Sequence, residues 1–372
     1  MASGSVEREG PVARPGGVSV GDLVAAVPRR LIEEAVDACG LDGPVPDGEL
    51  PPHLTAYRVM ALCLVPDEPV EDVARRVVAA PHRPDGARGV APGPQTAAGV
   101  GRARRRLGPD VLRETFYRVA QPVLSPGVRL GGRRLMAVEG FDLDVPDSAG
   151  NAAEFGPDAD GRSRPATTPG ARVVAVVDCG SRTLVDAEVG PRHRGEEAMT
   201  LSLLATASSD WVLLGDRSRY TFATFGAAAR IGAATCWRVP PRVPLPVLEV
   251  LRDGSYLSVL VDPDLPACER TKCLLEAWSG VKPDPDSAHT VRVVEDGDAD
   301  RLVTTFRDPE EVTAAELADA HRQWRRRSAT DGGPCSALRG PGGVRSADPD
   351  LVHQEIWAHL LAEYAIDSTT WA

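Results

Sequence analysis

Glu139 and Asp216 each close a short apolar run. Leu135-Met136-Ala137-Val138 has the length of a buried strand, and Glu139 follows it with Gly140 behind. Val212-Leu213-Leu214-Gly215 is a second such run, and Asp216 ends it. A carboxylate at the edge of a strand, backed by core, is well placed to hold a metal ion. For either run alone, a solvated acid on a hairpin is the plainer reading. Two runs of the same design in one chain favour the metal. Beyond Glu139, the apolar Phe141, Leu143 and Val145 alternate with Asp142 and Asp144, the period of a half-buried strand. Asp142 lies three residues from Glu139 and so faces the other side of that strand. Pro146-Asp147-Ser148 breaks the pattern, and Asn151 to Gly156 reads as a loop.

The text around the two acids carries a resemblance. VEGFDLDVPDSAGNAAEFG, beginning at Val138, resembles the first catalytic block of bacterial insertion-sequence transposases of the insertion-element-four family. In that block an acid is followed by Pro-Asp, an Asn and a Phe-Gly. LLGDRSRYTFATFGAAARIGAATCWRV, from Leu213, is similar to the second block, built around Asp-Arg. Leu251 to Leu260 (LRDGSYLSVL) and Val344 to Ile366 also look like that family, and the resemblance runs from about Val18 to Ile366. It implies an enzyme that cuts and joins DNA. Three carboxylates would hold Mg2+, which activates the attacking oxygen and stabilises the leaving one. Asp216 matches the second acid. Glu139 stands where the first is usually Asp, one methylene longer, so its oxygens reach roughly 1.5 Å further. Double-stranded DNA, as the inverted-repeat ends of an element, is the implied partner, with a second copy of the chain on it.

The third acid has no match. The family signature is Tyr, two residues, Arg, three residues, Glu, six residues, Lys, with a Trp after the Arg. With Trp324 as that Trp, the four places hold Ala320, Gln323, Arg327 and Pro334. The shortfall does not depend on register, because no Glu occurs between Glu316 and Glu355 and no Lys after Lys282. Gly332-Gly333-Pro334 would break a helix there. Arg327 beside Asp216 would form an ion pair in place of a metal site. Glu316, Asp319 and Asp331 are the stand-ins the sequence offers. The first reading is therefore a transposase impaired or inactive in this copy. The second is a DNA-binding relative without catalysis, such as a repressor of its parent element. A metal-dependent hydrolase on a similar core ranks last, for want of any substrate-pocket signature.

Composition sets the bounds. The 372 residues suffice for one large or two modest domains, and 42% apolar content for a core. The net charge of −11 excludes a protein coated in positive charge, so DNA contact would rest on local Arg patches. The seven cysteines are scattered, with no Cys-x-x-Cys, and read as reduced thiols of a cytoplasmic protein. No run has the length of a membrane span.

The elements that must position the acids follow. Met1 to Gly17 reads as a disordered tail. Val20 to Ala38, Pro51 to Leu64 and Val70 to Val78 have helical spacing, and Pro81 to Pro94 is a linker. Thr96 to Leu107 and Asp110 to Ala120 form a helix-turn-helix-like pair carrying Arg102, Arg104, Arg105 and Arg106, a cluster suited to gripping phosphates. Then come strands at Leu135 to Val145, Arg172 to Cys179 and Thr183 to Val189. A helix at Glu196 to Ala207, a strand ending at Gly215, a helix at Thr221 to Gly232 and a strand at Thr235 to Val239 complete the series. Pro240 to Arg307 holds only short strands, and helices at Thr313 to Arg326 and Asp350 to Tyr364 end the chain. The expected class is α/β: a ribonuclease H-like core with a β-rich insertion, preceded by an all-α N-terminal domain. The expected divisions are tail 1–17, helical domain 18–80, linker 81–94, basic helices 95–130, core 131–239, insertion 240–307 and C-terminal core helices 308–372.

Overall fold

The computed structural model describes residues 20–45, 49–64, 97–120, 128–156, 168–296, 300–330 and 344–370. The expected tail, the helix at Val70 to Val78, the linker, Asp331 and the Gly332 to Pro334 break lie outside them. Five helices come first: α1 (Val20–Ala26), α2 (Arg29–Ala38), α3 (Pro52–Leu64), α4 (Ala97–Leu107) and α5 (Asp110–Val119). The sequence reads α1 and α2 as one helix. Pro28 divides them, because it has no N–H to donate and its ring clashes with the preceding turn. Gly108 at φ +68° turns the chain between α4 and α5.

His53 on α3 is 8% exposed and pairs only loosely with Glu33, at 3.9 Å. Burial first, then the charge of Arg29, lower its pKa to about 4 against the opposing pull of Glu33. The folded chain therefore keeps His53 neutral where the unfolded chain protonates it. Stability should be fully present above about pH 6.5 and fall as pH drops toward 4, by on the order of 3 kcal/mol from this residue. Urea unfolding of His53→Gln at pH 7 and pH 5 should give a smaller difference than the parent chain; an equal difference refutes the assignment.

The sheet is built from β1 (Arg129–Leu130), β2 (Arg133–Asp144), β3 (Gly170–Asp178), β4 (Leu184–Pro191), β5 (Trp211–Gly215), β6 (Ala234–Val239), β7 (Glu249–Val250), β8 (Tyr256–Val261), β9 (Ala288–Asp296) and β10 (Asp300–Thr304). Their order is β4-β3-β2-β5-β6-β10-β9-β8-β7, with β1 paired to the start of β2. The β2, β3 and β4 strands run antiparallel in a meander, whereas β5 and β6 lie parallel to β2. The strands between Pro240 and Arg307 are not a separate sheet. They extend the same one through β10, antiparallel to β6.

The remaining helices are α6 (Ala149–Phe155), α7 (Glu196–Leu204), α8 (Phe222–Arg230), α9 (Ala267–Trp278), α10 (Ala314–Thr330) and α11 (Pro349–Thr370). Alternation along the strands assigns the helices to faces. Met136, Val138 and Leu213 pack with Met199, Leu203 and Ala228 of α7 and α8. Leu135, Ala137, Val212 and Leu214 pack with Leu317, Ala318 and Trp324 of α10. Farther along β2, Phe141 and Leu143 join Trp357 and Leu361 of α11, and the same cluster takes in α1, α2, α3 and α5. Asn151 to Phe155, expected as loop, belongs to α6. Its N-cap is Ser148, whose hydroxyl accepts from the Asn151 amide at 3.1 Å. Asn151 is fully buried and ties the start of α6 to the segment before α11, donating to Pro146 O at 2.8 Å and Ser346 O at 3.0 Å. Gly156 ends α6 where a Cβ would stand 2.1 Å from Ala152 O.

Candidate active site

The parity of the apolar runs places both acids. On β2, Leu135 and Ala137 face α10, so Glu139 does too. On β5, Val212 and Leu214 face α10, so Asp216, the first residue past the strand, continues on that side. The two strands are parallel neighbours with Ala137 opposite Leu214. The ladder ends at that pair, and Glu139 and Asp216 each follow two residues beyond it. Asp142 is on the opposite face of β2, where Arg172 grips it at 2.7 and 3.0 Å and Arg192 approaches at 3.3 Å.

Each acid is held by its surroundings. The turn after β5 folds back on Asp216, whose carboxylate accepts the Arg217 amide at 2.8 Å and whose carbonyl accepts the Arg219 amide at 3.0 Å. Arg219 donates to Gly140 O at 2.9 Å and pairs with Glu196 at 2.8 Å, locking this turn to the end of β2. A side chain at Gly140 would collide with Glu196, its Cβ falling 2.8 Å from the carboxylate. Glu139 Oε1 accepts from Trp324 Nε1 at 2.8 Å and from Ser328 Oγ at 2.7 Å. His321 Nε2 lies 3.3 Å from Gly215 O, and its ring meets Trp324 edge-on at 5.2 Å. His321, Trp324, Arg325 and Ser328 thus form the face of α10 that crosses the acids, at the spacing of one helical stripe.

That face carries no carboxylate. Burial pushes the Asp216 carboxyl up, but the Arg217 amide and the charges of Arg325, Arg238 and His321 outweigh it and hold the group below the usual carboxylate range. Arg238 from β6 stands 3.5 Å from it. The expected neighbour, Arg327, is elsewhere: it donates to Cys179 O at 2.9 Å, at the end of β3. The helical pitch explains the correction, since 325 falls on the 321–328 stripe and 327 does not. Of the expected stand-ins, Glu316 caps the start of α10 through Thr313 and Asp319 accepts from Gln323. Two further acids are near Glu139. Asp178 is fully buried and committed to Arg134 and to the amides of Gly180 and Ser181. Asp367 lines the same small cleft as Glu139; burial first, then Glu363, against Arg182, push its carboxyl up to about 8. Among the described residues, no three His, Cys, Asp or Glu side chains are grouped to hold a metal. The described residues do not fit a two-metal centre.

The four arginines of α4 divide. Arg104 points inward, donating to Gln354 at 2.9 Å and Ser346 at 3.3 Å and pairing with Glu355 at 3.1 Å. Arg106 donates to Leu50 O at 2.5 Å and pairs with Glu49. Arg102 is exposed, and Arg105 is 64% exposed with Asp348 at 3.9 Å. Sequence reasoning missed His321, Arg325, Ser328 and Arg238. The first three share a stripe with Trp324 and were readable as such, whereas Arg238 had no local signal.

The profile described as "Insertion element 4 transposase N-terminal" matches residues 17–117. Among curated proteins, transposase InsG for insertion sequence element IS4 of Escherichia coli (strain K12) is 24% identical over 84% of this chain and 68% of its own length. The putative transposase InsZ of the same organism is 26% identical over 48% of this chain and 58% of its own length. Among solved structures, piggyBac transposase in its synaptic complex with hairpin DNA aligns at a TM-score of 0.37 and 9% identity, over 94% of this chain and 66% of that one. No helix among the described residues is long and apolar enough to cross a membrane. By the profile over residues 17–117 and by the two curated relatives, the chain is similar to insertion-element-4 transposases.

Proposed function

We propose that the chain is the transposase polypeptide of an insertion element. It recognises the inverted-repeat ends of double-stranded DNA in the cytoplasm, and its strand cleavage and transfer are impaired in this copy. The observation that carries the reading is the pair Glu139 and Asp216, each two residues past the last paired residues of adjacent parallel strands, beside a helix whose facing stripe supplies no third acid. The strand order β4-β3-β2-β5-β6, with α10 on one face and α7 and α8 on the other, supports a ribonuclease H-like core. The strands from β7 to β10 would be its insertion, and α1 to α5 the end-binding part. A bound divalent cation, magnesium by the family resemblance, would activate the attacking oxygen and stabilise the leaving one. The ligand set among the described residues does not fit such an ion. What the chain's own residues do is orient DNA beside Asp216, where Arg238 and Arg325 can receive a phosphate oxygen. Gel-shift and cleavage assays on the element's own ends test the reading, and failure to bind those ends in preference to random duplex refutes it.

The missing acid also favours a second reading, a DNA-binding repressor derived from a transposase. Binding of ends that lowers expression from the element's promoter, with no cleavage by intact relatives in its presence, would support it.

DNA contact by α4 falls to Arg102 and Arg105, since Arg104 and Arg106 are engaged inside the protein. Changing both exposed residues to Ala should weaken duplex binding. It should also lower the slope of log affinity against log salt by about 1.8, at 0.9 per phosphate contact. Arg104→Ala should act on stability first. An unchanged salt slope in the Arg102→Ala/Arg105→Ala protein would exclude this helix as a phosphate contact.

A further inference from the structure

The block Leu251 to Leu260 has no atom at the acid pair, yet it meets the helix that does. Between β7 and β8 the chain turns tightly: Leu251 N donates to Ser255 O at 2.7 Å and Gly254 N to Leu251 O at 3.1 Å. Gly254 sits at φ +84°, a conformation that costs glycine little and other residues much. The turn aims Asp253 into the protein. Its Oδ1 accepts Ser255 Oγ at 2.5 Å, and its Oδ2 accepts the amide of Ala314, the first residue of α10, at 2.9 Å. The same Oδ2 is gripped by Arg292 of β9, whose side chain is fully buried. Arg292 in turn donates to Ser255 Oγ at 2.7 Å and to Val312 O at 2.6 Å. The pair therefore holds the chain on both sides of the start of α10, Arg292 at the carbonyl of 312 and Asp253 at the amide of 314. A helix N-terminus leaves amides without partners and favours negative charge, so a carboxylate is the apt group.

From Ala314 to Trp324 is about 15 Å of helix. Over that length a turn of the helix at its N-terminus is carried to the stripe His321, Trp324, Arg325 and Ser328. We propose that Asp253 and Arg292 are positioning residues that set the seat of α10 and thereby decide which of its side chains meet Glu139 and Asp216. The inference builds on the reading of those two acids as the site.

The test reads the seat of α10 directly, through the indole N–H that Trp324 gives to Glu139. In the full-length chain labelled with 15N-tryptophan, Trp324→Phe assigns that resonance. Glu139→Gln calibrates the shift caused by losing a charged acceptor. Asp253→Ala and Arg292→Met should each move the Trp324 indole resonance by at least half of the Glu139→Gln shift, while the Trp357 resonance stays in place. Asp253→Asn keeps an oxygen for the Ala314 amide, should fold even where Asp253→Ala does not, and should give a smaller displacement in the same direction. A merely structural role lowers the melting temperature without moving the resonance of the folded chain. An unmoved Trp324 signal in folded Asp253→Asn and Arg292→Met overturns the proposal. The readout needs no DNA and no metal. Failure of the transposase reading would leave the clasp standing, and failure of the clasp would leave that reading untouched.

Discussion

Purified protein, given the inverted-repeat ends of its own element and magnesium or manganese, should leave the strands uncut. Two-metal cleavage uses one ion at the attacking oxygen and one at the leaving oxygen, and each contributes several kcal/mol. Losing about 4 kcal/mol of that clamp costs on the order of a thousandfold in rate. Three features of the site point the same way. Glu139 is longer than the usual Asp and spends Oε1 on Trp324 and Ser328. Asp216 faces Arg238 and Arg325, whose charges oppose a cation. The stripe of α10 over both acids offers no further oxygen ligand except Ser328. Arg327→Glu alone should restore little, because position 327 is directed to Cys179 O and the two arginines at Asp216 remain. The combination Glu139→Asp, Arg325→Gln and Arg327→Glu should do better than any one change. Metal-dependent cutting by the unmodified chain, lost in Asp216→Ala, would mean that an acid outside this stripe completes the site.

The side of the sheet on which Glu139 and Asp216 fall could be read from the sequence, and the reason is local. Period-two alternation along Leu135 to Glu139 and Val212 to Asp216 fixes which side each acid faces, and the two buried runs pair in parallel. Trp324 likewise marked the right helix. What escaped the sequence depends on partners far along the chain. Arg104 reads as one more charge in a basic run, but its partners Gln354 and Glu355 lie some 250 residues away. Nothing local separates it from the exposed Arg105. The continuation of the sheet from β6 to β10 is also a long-range pairing, with Val239 opposite Arg301. The α9 helix escaped for another reason. Of its side chains only Cys273 is buried, while Leu275 and Trp278 are exposed, so it lacks the apolar stripe that periodicity detects. The α6 helix is too short, at seven residues, to display a stripe at all, although Ser148 three residues before Asn151 was its cap signal.

Trp357→Ala should be among the most destabilising single changes in the chain, because of what α11 joins. Its Trp357 is 4% exposed and lies against Phe116 at 5.4 Å and Tyr117 at 5.7 Å, both on α5. Tyr117 reaches on to the sheet, donating its hydroxyl to Ala187 O of β4 at 3.0 Å. The same cluster holds Tyr57 and Met60 of α3, Ile32 of α2, and Phe141 and Leu143 of β2. Removing the indole leaves a cavity that rigid neighbours on three elements can fill only in part. The expected cost is about 3–5 kcal/mol. Because one cluster spans the N-terminal helices and β2 to β4, the loss should lower the stability of both together. Far-UV circular dichroism, which follows the helices, and a 19F-tryptophan resonance assigned to Trp237, fully buried on β6, should then report one coincident urea transition at a lower midpoint. A loss below about 1 kcal/mol would refute the cavity argument. Helices that melt first while Trp237 stays buried would mean that α11 packs against the sheet without binding the N-terminal helices to its fate.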